Sequence, residues 1–235
     1  MTIHQYMKTE KELWGILREL PMEVLDQIEI KSWKTGDFLI KKGQYDNNLY
    51  IILKGVCDII RSFDTGISLI YYKISKLDII GFTELVGPPI MREADVVART
   101  EVTAALIPQK IIQACFGKYQ IFSVQIALRI INRLHNSIGL FAECNNYSVN
   151  LSVVTYLLHA YYFYKRQYSE NYDGPVKIFD SRQEMADLIG IDIRSVNRVI
   201  TKLKNNSFLK IIKGKIHIDK SGFIKLYNLK MADSF

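Results

Sequence analysis

A chain of 235 residues with 49% apolar side chains suits one large or two ordinary domains with real cores, which excludes a disordered or low-complexity protein. The formal charge is +7 and unevenly spread: from Asn145 onward there are 14 Lys and Arg against 8 Asp and Glu, whereas the first 144 residues hold 17 against 16. No apolar run approaches the roughly 20 residues of a membrane span, no signal-peptide pattern opens the chain, and Cys57, Cys115 and Cys144 are too scattered for a disulfide framework or a zinc site, so a cytoplasmic protein without a metal or a membrane partner is expected.

From about Thr9 to Ile28 the pattern is helical, with Leu13, Ile16, Leu17 and Leu20 on one face and Pro21 opening a second helical turn. Between Glu29 and Pro108 the texture changes to short apolar or alternating runs. They are punctuated by Gly36, Gly43, Asp46-Asn47-Asn48, Gly55, Asp64-Thr65-Gly66, Gly81 and Gly87-Pro88-Pro89. Turn signals every eight to twelve residues predict a β-barrel or β-roll.

Gln120 to Ala142 follows as one long helix. Val124, Ala127, Ile131, Leu134, Ile138 and Phe141 recur on it at alternating spacings of three and four, an a/d seam. Spacing alone leaves two readings: a stripe packed on the β unit of the same chain, or a seam awaiting a second helix. Asn145 to Ser148 breaks the pattern as a hinge, and Ser148 or Asn150 caps a helix from Leu151 to Lys165. The aromatic run His159 to Tyr164 on that helix reads as core packing rather than as a platform for single-stranded bases. A polar loop, Ser169 to Gly174, leads to a short strand at Val176 to Phe179.

The stretch from Asp180 to Asn205 carries the functional signal. Ser181 with Glu184 three residues later is a capping box, opening a helix whose buried face is Met185, Ala186, Leu188 and Ile189. Gly190 stops it, and Asp192 caps a second helix in which Val196, Val199, Ile200 and Leu203 face inward while Arg194, Asn197, Arg198, Lys202 and Lys204 face out. Two short helices joined by a tight glycine turn make a helix-turn-helix, whose second helix can enter the major groove. Downstream, Phe208 to Ile212 and Lys215 to Ile218 flank Lys213-Gly214 as a hairpin with a basic tip, a wing.

The run Lys34-Thr35-Gly36-Asp37, Gly43, Leu49 to Gly55, Asp64-Thr65-Gly66 and Asp78 to Gly81 resembles the cyclic-nucleotide-binding β-roll of the catabolite activator (Crp/Fnr) family. Arg182-Gln183-Glu184 and Val196-Asn197-Arg198 fall at that family's positions in the helix-turn-helix, so the likeness spans about residues 15 to 220. It implies an α+β chain in three parts: helices and an effector β-roll over 1–117, a long dimerisation helix and hinge over 118–146, and a winged helix-turn-helix over 147–235. It also resolves the seam in favour of a parallel homodimer. A two-fold dimer sets two recognition helices about 34 Å apart and predicts an inverted-repeat operator. The implied partners are double-stranded DNA and, for an activator, RNA polymerase.

The same resemblance locates an effector pocket. Family members that bind cyclic AMP use a glutamate after the Gly81 position, an arginine and a serine; here those positions hold Phe82, Arg92 and Glu93. Phe82 accepts no hydrogen bond from a ribose hydroxyl, and Glu93 sets a carboxylate beside a phosphate. Glu84 is the one carboxylate nearby that could substitute. No cyclic AMP response is expected. Iron-sulfur and haem sensing lack ligands, since no cysteine lies near the amino terminus, His4 sits in a terminus expected to fray, and His135 is on the long helix. No cofactor is implied; an unidentified small molecule, or activity without one, remains.

On DNA, the resemblance implies base reading by Arg194, Asn197 and Arg198, with Arg198 at its expected place and Ile193 and Arg194 where better-known members carry an arginine or a glutamate. Ser181, Arg182, Gln183, Lys202, Lys213 and Lys215 are suited to phosphates. The competing reading is a small-molecule-binding module acting on a protein partner. Against an enzyme stands the lack of a phosphate-cradling glycine loop, HExxH site or nucleophile elbow.

Overall fold

The computed structural model describes residues 1–62, 68–82, 91–169 and 171–232, and divides into two compact units, Met1–Arg133 and Leu134–Phe235. The architecture is α+β. Among the described residues no helix is long and apolar enough to cross a membrane.

The first unit opens with three short helices, α1 (Ile3–Thr9), α2 (Lys11–Leu17) and α3 (Met22–Leu25). The terminus is ordered rather than frayed: Thr2 and Gln5 form a reciprocal capping box at the start of α1, and His4 Nε2 lies 2.8 Å from the Asp26 carboxylate. Leu13, Ile16 and Leu17 are fully buried, as their spacing requires.

Among the described residues eight strands follow: β1 (Glu29–Trp33), β2 (Phe38–Ile40), β3 (Asn48–Lys54), β4 (Cys57–Ser62), β5 (Ser68–Ile74), β6 (Ile79–Ile80), β7 (Asp95–Ala98) and β8 (Val102–Pro108). They form two antiparallel four-stranded sheets, ordered β1-β8-β3-β6 and β2-β7-β4-β5. The continuous apolar run in β3 has a simple cause. Leu49, Ile51 and Leu53 point to a core shared with the helices, while Tyr50 and Ile52 point to the core between the sheets, so both faces of the strand are buried. In β8, Ala105 and Ile107 face the helices and Ala104 and Leu106 the other sheet. Helix α4 (Gln109–Cys115) closes the roll, and α5 (Gln120–Asn146) begins on it.

Helix α5 runs four residues beyond the expected end at Ala142. Its break is short, and Ser148 caps α6 (Val149–Lys165) by accepting from the Leu151 amide. Helix α6 is the centre of the second unit, most of its residues being buried. Its aromatic run divides: Tyr161 stacks on Phe223 with ring centroids 4.5 Å apart, Tyr164 is fully buried, and Tyr162 is exposed. Tyr156 and Tyr164 each donate to the carboxylate of Asp180 at 2.5 Å, which fixes the residue immediately before the helix-turn-helix.

The remaining elements are β9 (Val176–Ile178), α7 (Arg182–Ile189), α8 (Ile193–Asn205), β10 (Lys210–Ile212), β11 (Lys215–Ile218) and α9 (Lys220–Met231), with the strands ordered β10-β11-β9. Helix α9 packs on α6, and its Lys230 donates to Glu143 near the end of α5 at 2.5 Å. That bond holds the Glu143 carboxyl below the usual carboxylate range.

All three cysteines are buried free thiols. Burial pushes Cys57 up to about 12 and Cys144 up to about 11, which keeps both as thiols at neutral pH.

Candidate nucleic-acid interface and effector pocket

The helix-turn-helix is built by local hydrogen bonds that the sequence spells out. Ser181 N donates to Glu184 Oε2 at 2.8 Å and Glu184 N donates to Ser181 Oγ at 3.1 Å, closing the amino end of α7. Gly190 ends the helix at φ +69°, in the left-handed region that side chains with a Cβ avoid. Asp192 Oδ1 then accepts from the Ser195 amide at 2.9 Å and starts α8; its hydrogen bonds to Ser195 hold its carboxyl below the ordinary value.

Val196, Val199, Ile200 and Leu203 form the buried face of α8, packed within the second unit. Arg194, Asn197, Arg198, Thr201, Lys202 and Lys204 are exposed on its other faces. The backbone carbonyl of Asn197 accepts from Thr201 Oγ1 at 2.8 Å, and the Asn197 side chain is exposed.

The hairpin turns through Lys213 (φ +48°) and Gly214 (φ +75°), the signature of a type I′ turn, with Ile212 opposite Lys215. Lys213 is exposed at the tip, whereas Lys215 is half-buried and donates to the Phe179 carbonyl at 2.6 Å. Around α7, Ser181 and Gln183 are exposed, Gln183 bonding Asp187, and Arg182 is half-buried, its guanidinium pKa drawn down by desolvation. Arg194, Asn197 and Arg198 thus stand exposed on one helix, which follows the capped α7 and precedes the wing in the chain.

In the β-roll the structure brings Gly81 and Arg92 together. Arg92 is 3% exposed, and its Nη2 donates to the carbonyls of Asp46 (2.9 Å) and Asn48 (2.8 Å), with the Asp46 carboxylate 3.5 Å away. Asp46 in turn accepts from the Asn48 amide and carboxamide and, at 2.6 Å, from the Tyr50 hydroxyl. Burial, and after it the hydrogen bond to Asp46, pushes the Tyr50 phenol far above its ordinary value. A Cβ on Gly81 would lie 2.6 Å from Arg92 Nη1, so a glycine is what lets the guanidinium occupy this place.

The other pocket positions diverge. Phe82 turns to the helix-side core, its ring 4.9 Å from that of Phe116. Glu93 is exposed, 3.7 Å from Arg61. Glu84 lies outside the described residues. Sequence reading missed Asp46, which it took only as part of a turn; the available signal was that a buried arginine needs a carboxylate.

Helix α5 has two faces. Phe122, Ile126 and Ile130 pack into the helix-side core, and on the same side Arg133 donates to the Ile79 carbonyl at 2.6 Å and Arg129 to Glu12 at 3.2 Å. The stripe predicted as a seam lies elsewhere on the helix, with Ile131 (58%), Leu134 (50%) and Ile138 (59%) open to solvent in the single chain, Val124 exposed and Ala127 half-buried. The Phe141 side chain lies outside the described residues.

Two family models match the sequence: the cyclic nucleotide-binding domain over residues 30–119, and the bacterial regulatory proteins, crp family, over residues 181–209, together about half of the chain. The chain belongs to the Crp/Fnr family. This regulator also shares its fold with solved structures of low sequence identity. FixK2 from Bradyrhizobium japonicum is 14% identical with a TM-score of 0.67, covering 86% of this chain and 96% of its own. A CRP/FNR-family transcriptional regulator from Thermus thermophilus is 18% identical with a TM-score of 0.62, covering 85% and 98%. The c-di-GMP-responsive global regulator CLP of Xanthomonas campestris is 18% identical with a TM-score of 0.57, covering 89% and 98%. No curated protein matches the sequence. The Crp/Fnr family and these neighbours are transcriptional regulators, not enzymes.

Proposed function

We propose that this Crp/Fnr protein is a homodimeric regulator that binds an inverted-repeat DNA operator sequence-specifically, and that its β-roll does not respond to cyclic AMP. The observation that carries the DNA reading is the exposure of Arg194, Asn197 and Arg198 on α8, a helix that follows a capped α7 and precedes a hairpin with a basic tip in the chain. Arginine can bond both acceptors of guanine and asparagine both groups of adenine. The exposed stripe on α5 supports a two-fold partner, because the face that packs on the roll is a different one. RNA polymerase is the proposed protein partner at promoters.

Two features support effector independence from cyclic AMP. The guanidinium that would meet the phosphate already serves two backbone carbonyls and a carboxylate, and Phe82, packed on the helix-side core, offers a ribose no hydrogen bond. A phosphate would have to displace bonds that hold the 46–48 turn.

Arg198→Ala tests the base-reading assignment. Specific binding is expected to weaken by about 1–3 kcal/mol at a single base position while binding to random duplex changes little. Lys213→Ala serves as the contrast: it should weaken all duplexes alike and reduce the slope of log affinity against log salt by about one. Equal loss of specific and non-specific binding in Arg198→Ala would contradict the assignment.

A further inference from the structure

A groove of about 870 Å³, within the usual range of small-molecule sites, is lined entirely by residues of α1, α2, α3 and the turns that join them. Its apolar wall includes Met7, Trp14, Leu20 and Met22, and its charges are of one sign. Lys8, Lys11 and Arg18 line it together with His4, and among the described residues no carboxylate does. Trp14 is 48% and Met22 61% exposed, so a large hydrocarbon surface stays open while Leu13, Ile16 and Leu17 of the same segment fill the core. The carboxylates of the segment are engaged elsewhere: Glu10 meets Lys76 at 2.7 Å, Glu12 meets Arg129 at 3.2 Å, and Asp26 meets His4. Glu19 Oε2 accepts from the Ile121 and Phe122 amides at 2.6 and 3.3 Å. Arg18 is laid over the Trp14 ring, 4.9 Å from its centroid. Lys8 and Lys11, on either side of the junction between α1 and α2, are exposed and have no carboxylate partner among the described residues.

We propose that this groove is an effector site for a free long-chain carboxylate, whose head group meets Lys8 and Lys11 and whose chain lies on Met7, Trp14, Leu20 and Met22. Hydrocarbon beside cations of one sign is complementary to an anionic amphiphile. The chain takes the open apolar wall out of water, and the ammonium groups meet the carboxylate in charge-assisted hydrogen bonds. A neutral chain leaves the lysines unmatched, and a short carboxylate leaves the wall wet. The effector role rests on the reading that α5 is the dimer helix of a DNA-binding protein. Lys11, Trp14 and Arg18 recur at spacings of three and four on the groove side of α2 and its end, while Glu12 and Glu19, seven apart, hold α5. One short segment therefore forms the wall of the groove and both of these grips on α5, so a guest that shifts it acts on the long helix.

The test titrates dodecanoate, below its micelle concentration, into the full-length protein, read by calorimetry and by tryptophan emission. The emission should move to the blue as the half-exposed indole is covered, a change absent from Trp14→Phe, which keeps Trp33 as its internal control. From decanoate to tetradecanoate the affinity should rise by about two- to fourfold per methylene. 1-Dodecanol, which keeps the chain and loses the charge, should bind about tenfold more weakly, and so should dodecanoate to the Lys8→Ala/Lys11→Ala double variant. Both lysines are exposed, so the melt of that variant should match that of the unmodified protein. Dodecanoate should also change operator affinity by about fivefold or more, and the double variant should not respond. Equal binding of dodecanoate and 1-dodecanol, or affinity indifferent to Lys8 and Lys11, would overturn the site. So would attachment to phosphatidylglycerol vesicles, or to an acidic peptide, without affinity for free dodecanoate. If dodecanoate binds as expected and operator affinity is unchanged, the effector role is wrong. If no operator is selected, the DNA-binding reading falls and the dodecanoate titration still decides the site.

Discussion

Replacing Ile131 and Ile138 together with aspartate is expected to convert the protein to monomers and to weaken binding to the full operator by about 100- to 10,000-fold, the factor that linking two binding events supplies. Both side chains are more than half exposed in the single chain and lie on the stripe of α5 that does not pack on the roll. Their replacement leaves Phe122, Ile126 and the Arg133 bond to the Ile79 carbonyl untouched, so each chain should fold. In a dimer the same positions face their counterparts, and four carboxylates would be brought into one seam, where desolvation and like-charge repulsion both oppose association. Sedimentation equilibrium reads the mass, and anisotropy on whole and half operators reads the affinity. Binding to an isolated half-site should be nearly unchanged. A double variant that stays dimeric, or monomers that hold the whole operator as tightly as before, would contradict the seam.

Arg92→Leu is expected to cost the first unit about 3–5 kcal/mol, the usual penalty for removing one member of a buried charge pair. Its loss would leave the Asp46 carboxylate without its cation and the carbonyls of Asp46 and Asn48 without the Nη2 donor. An arginine held ready for a ligand behaves oppositely: removing it abolishes binding and costs the free protein little. Urea unfolding followed through Trp33, whose ring lies 6.2 Å from that of Tyr50, reports on this region. The complementary measurement is a melt in 1 mM cyclic AMP. A ligand of micromolar affinity would add about 4 kcal/mol at that concentration, and no shift is expected. A normal urea midpoint for Arg92→Leu together with a cyclic AMP shift in the unmodified protein would restore the pocket to its nucleotide role.

Legibility in the sequence followed the range of the interactions. The capping box at Ser181, the stop at Gly190 and the Asp192 cap are bonds between residues three or four apart, and sequence spacing states them directly. The long helix and its stripe were equally visible, because periodicity survives in the chain whatever the partner. Three helices were not read: α1, the short α4 between the roll and the long helix, and α9. Helix α1 has a Thr2–Gln5 capping box of the same kind, but its apolar residues are few, Ile3 being the buried one. In α9 the inward Leu226 competes with outward Ile224, Tyr227 and Met231, so no one-sided period emerges. The pocket was the least legible part. Counting from Gly81 located Phe82, Arg92 and Glu93 along the chain but carried no information on where their side chains point. The Asp46 partner of Arg92 lies 46 residues away, joined only through the folded roll.

The central claim is that this Crp/Fnr protein reads a DNA sequence as a two-fold dimer, and the most direct test is selection from a random duplex library by purified, effector-free protein at physiological salt, followed by sequencing of the retained duplexes. An inverted repeat with half-site centres about one helical turn apart is the predicted result. Retention that is weak, indifferent to sequence and abolished uniformly by salt would contradict it.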